Sequence, residues 1–121
     1  MIAITSLIRA ADDNIWGLAG GTLFIFDTVS RKIIYTSELF KADYISCGHI
    51  WRDAFMENGP DNNIYGVVGY STTGGKFFCI NAITRKLYQL ADINLSGMTK
   101  DDKGDFYFID RKSLLKAHIG K

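Results

Sequence analysis

Hydrophobic and polar positions along this chain fall into short runs that recur. Apolar and β-branched stretches of five to seven residues are divided by clusters such as Asp12-Asp13-Asn14, Gly20-Gly21 and Asn58-Gly59-Pro60-Asp61-Asn62-Asn63. Short runs with period-two alternation, bounded by turn-forming residues, read as β-strands. They predict strands over 4–9, 15–19, 22–27 and 32–37, then 49–55, 64–69, 76–81 and 86–91, then 95–100, 105–109 and 113–119. No window carries a capped 3.6-residue period, so no helix longer than one turn is expected.

The runs belong to a larger repeat. At a constant offset of 91, ITSLIRAADDNIWGLAGGTLFIFD (4–27) overlies LSGMTKDDKGDFYFIDRKSLLKAH (95–118), pairing Leu7 with Met98, Arg9 with Lys100, Trp16 with Tyr107, Leu18 with Ile109 and Leu23 with Leu114. A middle copy aligns Asn14-Ile15-Trp16-Gly17-Leu18 with Asn63-Ile64-Tyr65-Gly66-Val67 at an offset of 49. After an insertion at 70–74 the offset becomes 54, and Arg31-Lys32 recurs as Arg85-Lys86. Four strands would make one antiparallel sheet, and a four-stranded unit of about 40–50 residues is the mark of a β-propeller blade. The physical reason is burial: a twisted sheet cannot cover both its faces, so each blade covers the next. The expected fold is therefore all-β, a single partial propeller domain over 1–121. Blade one would occupy about 1–43, blade two about 44–93, and an incomplete blade three about 94–121. An open β-solenoid of hairpins is the alternative. In the propeller register Trp16, Tyr65 and Tyr107 are equivalent and should lie buried between blades.

The repeated pattern, with the NGPDNNIYGVVG stretch as its middle copy, resembles the blades of two-component-regulator propellers and of virginiamycin B lyase-like propellers. In those repeats an inner strand leads to an Asp/Gly/Asn turn, an Ile-Trp or Leu-Trp strand, and a Gly-Leu strand closed by Asp. The likeness covers nearly the whole chain, and similar repeats occur in NHL-type, PQQ-type and gluconolactonase-like propellers. Asn62-Asn63 stand here where Gly-Asn is usual, and Asn81 stands at the position of Asp27. The resemblance implies a propeller fold but spans sensors, scaffolds, lyases and hydrolases.

Composition narrows the classes. With 14 basic and 13 acidic side chains and a net charge of +1, the chain lacks the basic footprint of a nucleic-acid binder. Its apolar runs are too short to span a bilayer, so no membrane partner is expected. Residues 1–9 lack a basic flank and a cleavage site, which argues against a signal peptide and favours a cytoplasmic location. Cys47 and Cys79, in unlike contexts, are expected to be free thiols.

Motifs for nucleotide, zinc, calcium or redox chemistry are missing, and no cofactor is expected. The glycine pairs Gly20-Gly21 and Gly74-Gly75 are expected to supply positive φ in hairpin turns, and Asp12-Asp13 and Asp101-Asp102 to cap turns through their side chains. His118 reads as a surface residue. The unusual stretch is Cys47-Gly48-His49-Ile50-Trp51-Arg52-Asp53, the inner strand of the second copy. Facing a propeller axis, Arg52 would pair a carboxylate or phosphate, Trp51 would stack on a ring, and His49 or Asp53 would exchange protons. The inserted loop with Tyr70, Ser71 and Thr72 is the second candidate binding element. Two functions are carried forward. One is a non-catalytic ligand-binding or protein-interaction module completed by further blades or by other copies of the chain, with a small molecule or protein at the axis. The other is a lyase or hydrolase whose site draws on several blades.

Overall fold

The structure, a computed structural model, describes residues 4–19, 21–40, 53–69, 75–91, 98–110 and 113–119. Among them are eleven strands and no helix. Sheet one comprises β1 (Ile4–Arg9), β2 (Ile15–Ala19), β3 (Thr22–Asp27) and β4 (Lys32–Glu38); sheet two comprises β5 (Asp53–Asn58), β6 (Ile64–Gly69), β7 (Lys76–Ile80) and β8 (Leu87–Ala91). Sheet three contains β9 (Met98–Lys100), β10 (Asp105–Asp110) and β11 (Ser113–His118). Each sheet is an antiparallel meander in chain order.

Strand boundaries follow turn chemistry. β1, β2, β3 and β6 have the limits that alternation predicts, whereas β5 runs three residues past the expected end because the register Asn58↔Ile64 continues to the turn. The first hairpin of each sheet closes the same way: Ala10 N–H donates to the Asn14 carbonyl, Gly59 to Asn63 and Asp101 to Asp105. The residue before each acceptor is left-handed: Asp13 at φ 66°, Asn62 at 67° and Gly104 at 89°. Asp, Asn and Gly are the residues that enter this region at least cost, so Asn62 does the work of the usual glycine. Gly20 and Gly74, on which the expectation of glycine-supplied positive φ falls, lie outside the described residues. The β3–β4 and β7–β8 turns place Arg31 (φ 60°) and Arg85 (φ 64°) in the left-handed region. Their N–H groups donate to the carbonyls of Asp27 and Asn81, whose side chains accept from Val29 and Ile83 N–H.

The three sheets pack face against face, with β1 against β5 and β5 against β9. Sheet two is covered on both sides. Its Ile64, Val68, Phe78 and Ile80 pack against Trp16, Leu18, Leu23 and Ile25 of sheet one, while Tyr65, Val67, Phe77 and Cys79 pack against Phe106 and Phe108 of sheet three. A strand buried on both faces loses its polar alternation, which is why β7 reads Lys-Phe-Phe-Cys-Ile and is buried throughout. Cys79 is a free thiol in this second core.

Candidate functional site

Of the residues selected from sequence, His49, Trp51, Arg52, Tyr70, Ser71 and Thr72 lie outside the described residues, as does Cys47. Asp53 opens β5, its backbone opposite Gly69. The described surface offers two other features, and both follow from the repeat.

The first is a pair of sheet faces over which no other sheet lies among the described residues. On the face of sheet three turned away from sheet two, Tyr107 is half-buried, Ile109 is 49% exposed and Leu114 is 72% exposed. Their repeat equivalents Trp16, Leu18 and Leu23 are at most 1% exposed, because sheet two covers them. The expectation that all three aromatic residues would be buried holds for Trp16 and Tyr65 and fails for Tyr107. No further sheet among the described residues lies over it. With Met98 and Thr99 these side chains line an open trough of about 270 Å3. At the opposite end, Leu7 of sheet one is 58% exposed and Phe24 is half-buried, whereas their equivalents Met56 and Phe78 are buried. Phe24 lies across Gly17 as Phe78 lies across Gly66, so the same Gly–Phe cross-strand pair is repeated on the same side of sheets one and two.

The second feature is polar. In every sheet an aspartate of the first turn accepts a hydrogen bond from the repeat's aromatic residue. Trp16 Nε1 donates to Asp12 (3.2 Å), Tyr65 OH to Asp61 (2.7 Å) and Tyr107 OH to Asp101 (2.9 Å). Each carboxylate also accepts backbone N–H: Asn14 to Asp12 at 2.9 Å, Asn63 to Asp61 at 3.1 Å, Lys103 to Asp101 at 2.9 Å. The turns expected to be capped by side chains are so capped, and their oxygens are already engaged. A groove of about 350 Å3 between Asp12, Asp61, Asn63 and Ile83 is therefore lined by carboxylates with internal partners.

Sheet three adds charge to this motif. The register Asp105↔His118 sets the two side chains opposite one another. His118 Nδ1 lies 2.5 Å from Asp105 Oδ1, and Lys116 Nζ lies 3.3 Å from Asp105 Oδ2. The His118 bond, then Lys116, holds the Asp105 carboxyl below the usual carboxylate range, and Asp105 in turn raises Lys116. Backbone N–H groups of Asp105 and Lys103 lower Asp101, whose hydrogen bond raises the Tyr107 phenol. In sheet two, burial and then the Asp61 hydrogen bond keep Tyr65 protonated well above the ordinary phenol range. The Asp105–His118 pair escapes a reading by residue type because the equivalents, Asn14 and Asp27, each serve a separate turn. The two-residue link between Asp110 and Ser113 was the available signal, since it sets the register. Chemically, a carboxylate orients an imidazole that is mostly open to solvent. Among the described residues no hydroxyl or thiol bonds to that ring, and no group of three or more His, Cys, Asp or Glu is arranged to hold a metal.

Comparison with protein-family models, curated proteins and solved structures finds no match to this chain. The case for function therefore rests on the geometry.

Proposed function

We propose that this chain is a non-catalytic interaction module of the β-propeller type, whose two end sheets are covered by further sheets of the same repeat to build a larger ring. The observation that carries this reading is the contrast between Tyr107, Ile109 and Leu114, open on sheet three, and Trp16, Leu18 and Leu23, buried at the equivalent positions of sheet one. Covering a large apolar side chain is worth about 1.5–3 kcal/mol. An uncovered row of them on both ends of a stack favours association, and the surface that best fits each end is the kind already packed against its equivalent inside the chain.

Light scattering on the purified chain at micromolar concentration tests the proposal. Species heavier than the 13.5 kDa monomer, dissociating on dilution, are expected. A stable 13.5 kDa species across that range would overturn it.

A further inference from the structure

The junctions between sheets share a hydrogen bond that the sequence does not advertise. Arg9, Asn58 and Lys100 are repeat equivalents, each the last residue of the first strand of its sheet. Asn58 Nδ2 donates to the main-chain carbonyl of Arg9 at 2.8 Å, joining sheet two to sheet one. Lys100 Nζ donates to the carbonyl of Asn58, also at 2.8 Å, joining sheet three to sheet two. The rule is directional: the side chain at this position reaches back to the carbonyl of its equivalent in the preceding sheet. Arg9 holds the same position in sheet one, and its side chain is 72% exposed. It is 3.7 Å from an Asp13 side chain that is itself 82% exposed, and a surface pair of that kind holds a guanidinium weakly.

Resting on the ring-building reading above, we infer that the partner is a second copy of this chain, bound head to tail, with sheet three of one copy on sheet one of the other and Arg9 donating to the carbonyl of Lys100 across the junction. The contact continues an interface the chain already makes twice. Leu7, Phe24 and Ile15 would take the places of Met56, Phe78 and Ile64, and Tyr107, Ile109 and Leu114 those of Trp16, Leu18 and Leu23. A net charge of +1 leaves little long-range repulsion between copies. Head-to-tail contacts either close or propagate. Two copies supply six sheets, within the usual four to eight blades of a closed propeller, and closure satisfies both end faces at once.

Sedimentation equilibrium on the full chain and four variants tests this. The unmodified chain is expected at twice 13.5 kDa. Leu7→Arg and Leu114→Arg place a charge on one end face each, at side chains exposed enough to leave the β circular-dichroism spectrum intact. Each alone should sediment as a monomer. Mixed together they should form a heterodimer, because one end of each variant is unaltered. Arg9→Ala should weaken association about tenfold or more, the effect of losing a hydrogen bond to a charged group. Val29→Arg, at a turn tip 91% exposed, should change nothing. A dimer that survives Leu7→Arg, a mixture that stays monomeric, or an Arg9→Ala chain of unchanged affinity overturns the head-to-tail arrangement while leaving the broader reading standing. A monomeric unmodified chain overturns both.

Discussion

Two glycines at equivalent positions should respond very differently to a single added methyl group. At Gly66 a Cβ would collide with the Phe78 ring tip, sit 2.9 Å from its Cε1 and lie 2.7 Å from the Phe55 main-chain oxygen. Phe78 is fully buried between sheets one and two, and the oxygen belongs to the neighbouring strand, so neither can yield without moving a sheet. Overpacking of this kind costs about 1–3 kcal/mol, and a main-chain obstruction places Gly66→Ala at the upper end. At Gly17 the three nearest atoms all belong to the Phe24 ring, with Cε1 and Cε2 at 2.7 Å. That ring lies on the open face of sheet one and is half-buried, so it can swing outward. Replacing glycine by alanine within a strand also recovers roughly 0.5–1 kcal/mol of backbone entropy, which leaves Gly17→Ala near neutral in the unassociated chain. Urea denaturation at a concentration low enough to prevent association reads the difference. With a slope of about 1–3 kcal/mol per molar, Gly66→Ala should lower the midpoint by about 1 M or more, and Gly17→Ala should barely move it. Equal effects at the two sites would refute the claim that one face of sheet one is uncovered.

Acidification should expose the charge cluster of sheet three. Asp101 and Asp105 are both held below the ordinary carboxylate range, so the stability they contribute is complete above about pH 4 and is lost as pH falls through their folded values. Asp105→Asn should therefore be less stable at neutral pH but lose less between about pH 6 and about pH 3; an unchanged acid slope in urea midpoints would contradict this. Left-handed strain gives another test: Arg31→Gly removes about 1–2 kcal/mol of strain against a glycine entropy cost of roughly 0.5–1 kcal/mol, and should raise the thermal midpoint. Arg85→Gly should gain less, because the Arg85 guanidinium lies 4.8 Å from the centre of the Tyr35 ring and that contact, worth about 0.5–1 kcal/mol, is lost; equal gains would argue against it.

The sheets were legible because each strand is bounded by residues with a defined backbone job. Asp13, Asn62 and Gly104 differ in type yet share one left-handed position, and Asp27 and Asn81 differ in charge yet accept the same turn N–H groups. Repeat alignment tolerates those exchanges because it compares physical roles. It fails where a role moves along the chain. Asp12 and Asp61 lie four residues before their aromatic partners, and the residue aligned with them in the third copy is Lys103. The acceptor for Tyr107 is Asp101, six residues back, which also takes the N–H groups of Lys103 and Asp105. Two turn positions can present a carboxylate to the same ring, and residue-by-residue alignment sees only one.

Much the same limit governs the candidate site. A search by residue type finds what is chemically unusual, and so settles on His49, Trp51, Arg52 and Asp53. It has no means of finding significance in Leu7, Phe24, Ile109 or Leu114, which are ordinary core residues in a β-repeat. Their meaning comes from a comparison inside the molecule: the same positions are buried in one sheet and open in another. Arg9 is the sharpest case. Alone it is a surface arginine beside Asp13; as the first member of a series in which Asn58 and Lys100 each reach back to the preceding sheet, it is the member with no preceding sheet among the described residues. Where consecutive sheets share equivalent positions, the interior junctions serve as a template for the proposed exterior one, and a side chain that breaks the pattern only by lacking its neighbour points to where that neighbour would sit.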